Sequence, residues 1–334
     1  MSFEMKKLLS SLVISLSIII SLAGCQSGQV KKDAVHIDAI LDGLQDSVAI
    51  MTLEYGFWPP ALKFYPVVDG HLDLFLPVEN PCFVTIRSAD FADFIGFPAI
   101  AGEEVLLRGS FDDYQMSGSR FYREYALVAD EQENAFDYIL AHPKEEVSMV
   151  LLDRLEPEQM EIAINAIDPK VRNGRLKPIA DALGKQAQNE LRSRQVVEGA
   201  MAPDFTLPDL QGKPLTLSTL RGKWIILDFW GSWCGWCIKG FPKMKACYEK
   251  YAGKFEIVGI DCRDTEEEWK EAVEQYALPW LHVYNSKEDD IPGIYGVQGY
   301  PTKIIIDPEG KINKIVLGES DEFYEYIDRL FGQS

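Results

Sequence analysis

"ILDFWGSWCGWC", residues 226–237, is an apolar run that ends in two cysteines two residues apart. The run has the length of a buried strand, and the residues after it, to about Tyr251, carry apolar side chains at helical spacing. A Cys-x-x-Cys serves as a redox pair, as half of a zinc site or as a structural disulfide. Its surroundings help to separate the three. Downstream come the strand "FEIVGID", the helix "EEEWKEAVEQYA", the strand "WLHVYN", the hairpin "TKIIIDPEGKINKIVLG" turning at Pro308-Glu309-Gly310, and the helix "DEFYEYIDRLF". This order predicts an α/β sheet with helices on both faces, with Cys234 and Cys237 where a strand ends and a helix begins.

That position has chemical consequences. A helix start presents unpaired N–H groups and the positive end of the dipole, which favour a thiolate, and a lowered thiol pKa makes the sulfur both nucleophile and leaving group. Cys234 is expected to reach solvent and attack, and Cys237, one turn in, to resolve the mixed disulfide. Structural zinc takes about four ligands; there is no second Cys-x-x-Cys, and His36, His71, His142 and His282 form no ligand pair. No metal and no cofactor is expected, and an inert structural disulfide remains the alternative.

Three ordered motifs carry a resemblance. "GAMAPDFTLPDLQGKPLTLSTLRGKWIILDFW", "DFWGSWCGWC" and "GVQGYPTKIIIDPEGKI" resemble the membrane-tethered TlpA/ResA-type thiol–disulfide oxidoreductases over about 196–334. The resemblance implies the thioredoxin fold, with Cys234 and Cys237 as the redox pair and Pro301 as a cis-proline facing the sulfurs. It implies that Tyr300, Pro301 and Thr302 form a loop that an incoming client peptide meets. Trp233 and Trp236 flank the cysteine pair, to shield it or to offer a flat contact surface. Asp228, six residues before Cys234, takes the place of thioredoxin's buried acid and is the expected proton acceptor for Cys237. Pro242, inside the helix, is expected to kink it. Two departures matter. Gly240 stands where many relatives carry Glu, and the dipeptide between the cysteines is Gly235-Trp236, without thioredoxin's proline. Peroxiredoxins resemble the start of this domain, but their Pro-x-x-x-Thr/Ser-x-x-Cys motif is missing, since Leu227 and Gly231 stand at its first two positions. Cys82, Cys247 and Cys262 read as structural thiols.

The rest of the 334 residues sets the context. Lys6 and Lys7 precede an uncharged stretch from Leu8 to Leu22, the pattern of an export leader. Leu22-Ala23-Gly24-Cys25 resembles the bacterial lipobox, implying cleavage before Cys25 and a lipid on its sulfur. The expected organisation is a leader over 1–24, a tether over 25–34, a mostly β, sandwich-like domain over 35–130, a helical connector over 131–195, and the thioredoxin-like domain over 196–334. Within the β domain, "YPVVDGHLDLFLPV" alternates about Asp69-Gly70 and predicts a hairpin. Trp58, Pro59, Pro60, Phe91 and Phe94 read as core or loop packing, with an aromatic recognition surface as the alternative. "AGEEVLLRGSFDDYQMSGSRFYREY" resembles the end of a β domain that precedes such thioredoxin domains in envelope lipoproteins. Pro143, Pro157, Pro169 and Pro178 mark helix boundaries.

The 33 basic against 52 acidic residues, a net charge of −19, argue against nucleic-acid binding. The leading expectation is a lipid-anchored, periplasm-facing enzyme that reduces disulfides in protein clients. It would draw electrons from a membrane thiol donor, with cytochrome c maturation as one client pathway. The alternatives are a disulfide oxidase or isomerase, and a ligand-binding lipoprotein whose redox domain is ancillary.

Overall fold

The structure is a computed structural model that describes residues 31–55, 61–88, 90–129, 135–286 and 288–332. The leader, Cys25, most of the tether, and Trp58, Pro59 and Pro60 lie outside these residues. Eight strands come first: β1 (Ala34–Asp42), β2 (Ser47–Glu54), β3 (Ala61–Pro66), β4 (His71–Pro77), β5 (Cys82–Arg87), β6 (Phe94–Ala99), β7 (Glu104–Ser110) and β8 (Tyr114–Gly118). They form two four-stranded sheets, ordered β4-β1-β7-β8 and β3-β2-β5-β6. Alternation decides which face is buried: Val35, Ile37, Ala39 and Leu41 of β1 point into the same core as Val84 and Ile86 of β5.

The hairpin expected at Asp69-Gly70 is only a turn. Asp69 and Gly70 take φ of 51° and 73°, and Val68 bridges His71. The flanking strands then part, β3 pairing with β2 and β4 with β1. A tight turn fixes the chain's reversal but not its partners, and here it makes a corner between sheets. Phe91 and Phe94 are 43% and 54% exposed, so neither is core; the Arg87 guanidinium lies 5.1 Å from the Phe94 ring.

Helices begin earlier than residue 131. The series is α1 (Arg120–Ala126), α2 (Ala135–Ala141), α3 (Val147–Val150) with a 3-10 turn over Leu151–Arg154, α4 (Pro157–Ala166), α5 (Pro169–Arg172) and α6 (Lys177–Ser193). Pro157 and Pro169 open α4 and α5, where a missing N–H costs nothing. These helices do more than connect. Phe121, Tyr122, Ile139, Leu152, Ala163 and Ile179 join the core of the two sheets, and the buried Tyr122 hydroxyl donates to the Pro98 carbonyl at 2.8 Å. An amphipathic helix must bury its apolar face, and here the sandwich supplies the surface.

The carboxy-terminal domain contains β9 (Thr206–Pro208), β10 (Pro214–Thr216), a 3-10 turn over Leu217–Leu220, β11 (Trp224–Trp230), α7 (Gly235–Lys250), β12 (Phe255–Asp261), α8 (Glu266–Gln275), β13 (Leu281–Val283), α9 (Ile291–Ile294), β14 (Thr302–Ile306), β15 (Ile312–Leu317) and α10 (Asp321–Phe331). Its main sheet has the order β13-β12-β11-β14-β15, with β11, β12 and β13 parallel and β14 antiparallel to β11. This is the thioredoxin fold. The three long helices share one face. Their buried residues meet Ile226, Trp230, Ile257 and Ile305, whereas Ile225, Leu227, Phe229 and Val258 meet residues of β9, the 3-10 turn and α9. Stepping β11 to β12 to β13 in one direction through right-handed crossovers puts α7 and α8 on the same side, so the second face is covered mainly by short elements.

If α1 to α6 are a layer of the amino-terminal domain, a cavity there must loosen the strands. Leu152→Ala, at a fully buried position, is expected to cost about 2–5 kcal/mol and to lower hydrogen-exchange protection of β1 and β5 amides by a similar amount. Unchanged protection of those strands would show that the helices fold apart from them.

Candidate active site

The pair sits at the first turn of α7. Cys234 is the N-cap, with extended backbone (φ −85°, ψ 94°), and the Cys237 N–H donates to its Sγ at 3.2 Å. No acidic residue occupies the first turn to oppose the positive end of the helix dipole. Cys234 and Cys237 form a disulfide, with S–S 2.04 Å. The expectation that Cys234 reaches solvent is not met in this form: Cys234 is 5% and Cys237 3% exposed, both packed in the cluster that holds Trp230 and Phe241. Pro242 lies within α7, which runs uninterrupted from Gly235 to Lys250.

Exposure belongs instead to the rim. Trp233 is 48% and Trp236 63% exposed. The Trp233 indole N–H donates to the Cys262 carbonyl at 2.9 Å, and its ring meets Tyr300 edge-on with centroids 5.2 Å apart. The Arg263 guanidinium lies over both rings, at 5.6 and 5.4 Å, and the Lys239 ammonium over Trp236 at 4.5 Å. Gly231 is required by closeness: a Cβ there would stand 2.5 Å from the Trp233 indole nitrogen and 2.8 Å from the Cys262 oxygen. Ser232 is fixed by Asp264, which accepts from its N–H at 2.7 Å and its hydroxyl at 2.8 Å.

The Tyr300–Pro301 peptide bond is cis. Pro301 is buried, and its carbonyl accepts from the Gly318 N–H at 2.7 Å. Thr302 turns inward, its hydroxyl donating to the Gly299 carbonyl at 2.7 Å. It shapes the loop rather than offering a side chain at the rim. Cys82, Cys247 and Cys262 are buried free thiols, and burial pushes Cys82 and Cys247 up to about 11.

On the α7 side of the sheet lies a charged group of which the sequence named only Asp228. Asp228, 1% exposed, points to the α7 side of the sheet, directly opposite Lys303 in the β11–β14 register. The Lys303 ammonium, on a side chain 2% exposed, stands 3.8 Å from Asp228 Oδ1 and donates to Glu319 Oε2 at 3.0 Å. Tyr324 donates its hydroxyl to Glu319 Oε1 at 2.6 Å. Burial raises Asp228 to about 6, against the pull of Lys303 and with the Glu319 charge adding to the rise. Lys303 had a signal, as the one cation in the apolar strand "TKIII". Glu319, in the loop before α10, had none. A second buried acid, Asp261 at the end of β12, has no hydrogen-bond partner on either oxygen. Burial first, then the Asp264 carboxylate, pushes it up to about 9.

The carboxy-terminal domain is similar in sequence to known proteins. The AhpC/TSA family profile matches residues 199–315. The thiol-disulfide oxidoreductase ResA of Bacillus thuringiensis (strain Al Hakam) is 41% identical over 122 residues, 36% of this chain and 70% of that protein. ResA of Bacillus subtilis (strain 168) is 33% identical over 163 residues, 47% of this chain and 90% of that one. Among solved structures, the thioredoxin domain of a thiol-disulfide oxidoreductase from Bacteroides vulgatus is 33% identical, covers 40% of this chain and 98% of its own, and has a TM-score of 0.38.

Asp261 yields a pH test. An unfolded aspartate titrates at about 3.9; in the fold, burial and the Asp264 carboxylate push Asp261 up to about 9. Between those values the folded state holds a proton that the unfolded state has released. Stability therefore falls as pH rises, by about 1.4 kcal/mol per pH unit, and the loss is complete only above the folded value. Asp261→Asn removes the effect. Its Tm advantage over the wild type should widen steadily from about pH 5 to about pH 8; a constant difference would show that Asp261 ionises as an ordinary carboxylate.

Proposed function

The chain belongs to the ResA-type thiol-disulfide oxidoreductases, and on that premise we propose that Cys234 and Cys237 are the pair through which it reduces disulfides of protein clients. The observation that carries this reading is the first turn of α7, where the Cys237 N–H points at the Cys234 sulfur with no acid nearby in the turn to oppose it. In the reduced protein that N–H and the helix dipole stabilise a Cys234 thiolate. The thiolate attacks a client disulfide; a Cys234–client S–S bond forms, and the second client sulfur leaves as a thiolate. Cys237 then gives its proton to Asp228 and attacks Cys234. The mixed disulfide breaks, the remaining client sulfur leaves with the electron pair, and the Cys234–Cys237 bond is restored. Two electrons have passed to the client, and a membrane thiol donor returns them.

The client segment lies along the exposed Trp233 and Trp236 rings and the Tyr300–Pro301 loop, adding its backbone to that edge. The lipobox-like Leu22-Ala23-Gly24-Cys25 supports a further part of the reading: a lipid on Cys25 holds the protein to a membrane facing the periplasm. Cytochrome c maturation is the client pathway proposed with it, on the family resemblance alone.

Two measurements test these claims. Cys237→Ala, reduced and mixed with a disulfide-bonded protein, should hold the client covalently on Cys234 until excess dithiol releases it, and Cys234→Ser should hold none. A folded Cys237→Ala protein that traps nothing would overturn the assignment. Mass spectrometry of the native protein should find Cys25 as the mature amino terminus bearing diacylglycerol; an unmodified Cys25 would remove the anchor from the proposal.

A further inference from the structure

Gly240 lies inside α7, one turn beyond Cys237 on the same face, and is buried. A glycine within a helix costs about 1 kcal/mol against alanine, so its presence asks for a reason. The reason is contact. A Cβ at position 240 would stand 2.5 Å from Glu319 Oε2, 2.6 Å from its Cδ and 3.0 Å from Oε1. The Glu319 carboxylate occupies the space of the missing side chain, flat against the helix that carries the redox pair.

From that place Glu319 governs the cation between the two acids. Its carboxylate takes the Lys303 ammonium at 3.0 Å and the Tyr324 hydroxyl at 2.6 Å, and so is doubly satisfied. Asp228 receives the same ammonium only at 3.8 Å, and its Oδ1 is buried without a hydrogen-bond partner. A short, charge-assisted hydrogen bond is far stronger than a contact of that length, so Lys303 belongs to Glu319 first.

We propose that Glu319 is a positioning residue for the proposed reaction: seated in the space that Gly240 leaves open, it draws Lys303 off Asp228 and keeps Asp228 able to take a proton from Cys237. The inference rests on the reading of Asp228 as that acceptor. A carboxylate held tightly by a buried ammonium has its charged form stabilised and is a weaker base. Loosened from the ammonium and faced by a second carboxylate, the same group stays a base near neutral pH. The Asp228 shift is upward, from burial first, with Lys303 opposing it and the Glu319 charge adding to it. The other titratable groups that feel its charge are the Cys262 thiol, just after β12, and the Tyr324 hydroxyl on α10. Beyond Tyr324, Lys243 lies over its ring at 4.1 Å and pairs with Asp321.

The test reads Asp228 directly. Carbon-13 titration of aspartate carboxyls in the full-length oxidised protein, with Asp228→Asn to assign the signal, should place the wild-type midpoint at about 6. Glu319→Gln keeps the size, leaves one acceptor oxygen for Lys303 and turns an N–H donor toward the Tyr324 oxygen, but loses the charge, and should lower that midpoint by about one pH unit. Gly240→Ala, a favourable change for a helix, displaces the carboxylate and should move the midpoint the same way, with the double variant moving it little further. An unchanged or higher midpoint in Glu319→Gln, in protein whose amide spectrum is otherwise native, would overturn the proposal. The pH profile of mixed-disulfide release should follow the titration in Glu319→Gln, and Glu319→Gln should cause no shift in an Asp228→Asn background; a shift there would also overturn it. Because the carboxyl titration is read without a client, a protein that shows the shift yet reduces no disulfide would refute the proposed function alone. One that reduces clients without the shift would refute the role of Glu319 alone.

Discussion

A helix cannot satisfy its own first N–H groups, and in this domain the one at Cys237 is turned on sulfur. The rest of the site follows from where the sheet puts that turn. β11 is central and ends at Trp230; β12 runs parallel and ends beside it at Asp261, while β14 runs antiparallel and begins there at Thr302. Three chain segments therefore reach the same edge. One brings the sulfurs, one brings Cys262, Arg263 and Asp264 to brace the tryptophan loop, and one brings the cis-proline loop. None of these segments needs a long connection of its own.

The same topology gathers charge on the α7 side of the sheet. Strands β11 and β14 are neighbours, so Asp228 and Lys303 face each other across one rung. Charges taken from water are costly unless paired, and two carboxylates with one ammonium cannot all be well paired. The structure resolves this unevenly, with Glu319 given two short hydrogen bonds and Asp228 left with one long contact. The unevenness has chemical content. In the proposed reaction a group that must accept a proton is of use only if it is incompletely satisfied beforehand.

What the sequence discloses of this is local. Cys234 and Cys237 at the end of "ILDFW", the α/β order around them, and Pro301 before an apolar strand can be read from neighbouring letters, because helix starts, strand runs and turns are written in short windows. The Asp69-Gly70 turn is legible for the same reason. Its strands' partners are not, since pairing β3 with β2 and β4 with β1 is decided across the sandwich. Helical periodicity in residues 131–195 says that a face is buried but not against what, and so the helices read as a connector although they share a core with the sheets. The contact of Glu319 with Gly240 is the extreme case. Nothing near either residue announces it, because the gap in one helix is filled by a loop that arrives only after the last strand.

The rim shows how an acidic chain can present an apolar surface beside its chemistry. Contiguous exposed aromatic area ordinarily invites association, and Trp233 and Trp236 stand open next to sulfurs that are themselves buried. Arg263 and Lys239 lie on the faces of these rings. A cation on an aromatic face gains about 0.5–1 kcal/mol at an exposed site, enough to hold it on the ring yet small enough for an incoming segment to displace. Arg263 serves this purpose from a left-handed backbone (φ 77°), held between Cys262, whose carbonyl takes the Trp233 N–H, and Asp264, which fixes Ser232. A client in the proposed reaction would therefore meet rings and movable cations before it meets sulfur. Selection at the rim and chemistry at the helix start are then joined by the four residues from Asp261 to Asp264 that end β12 and follow it.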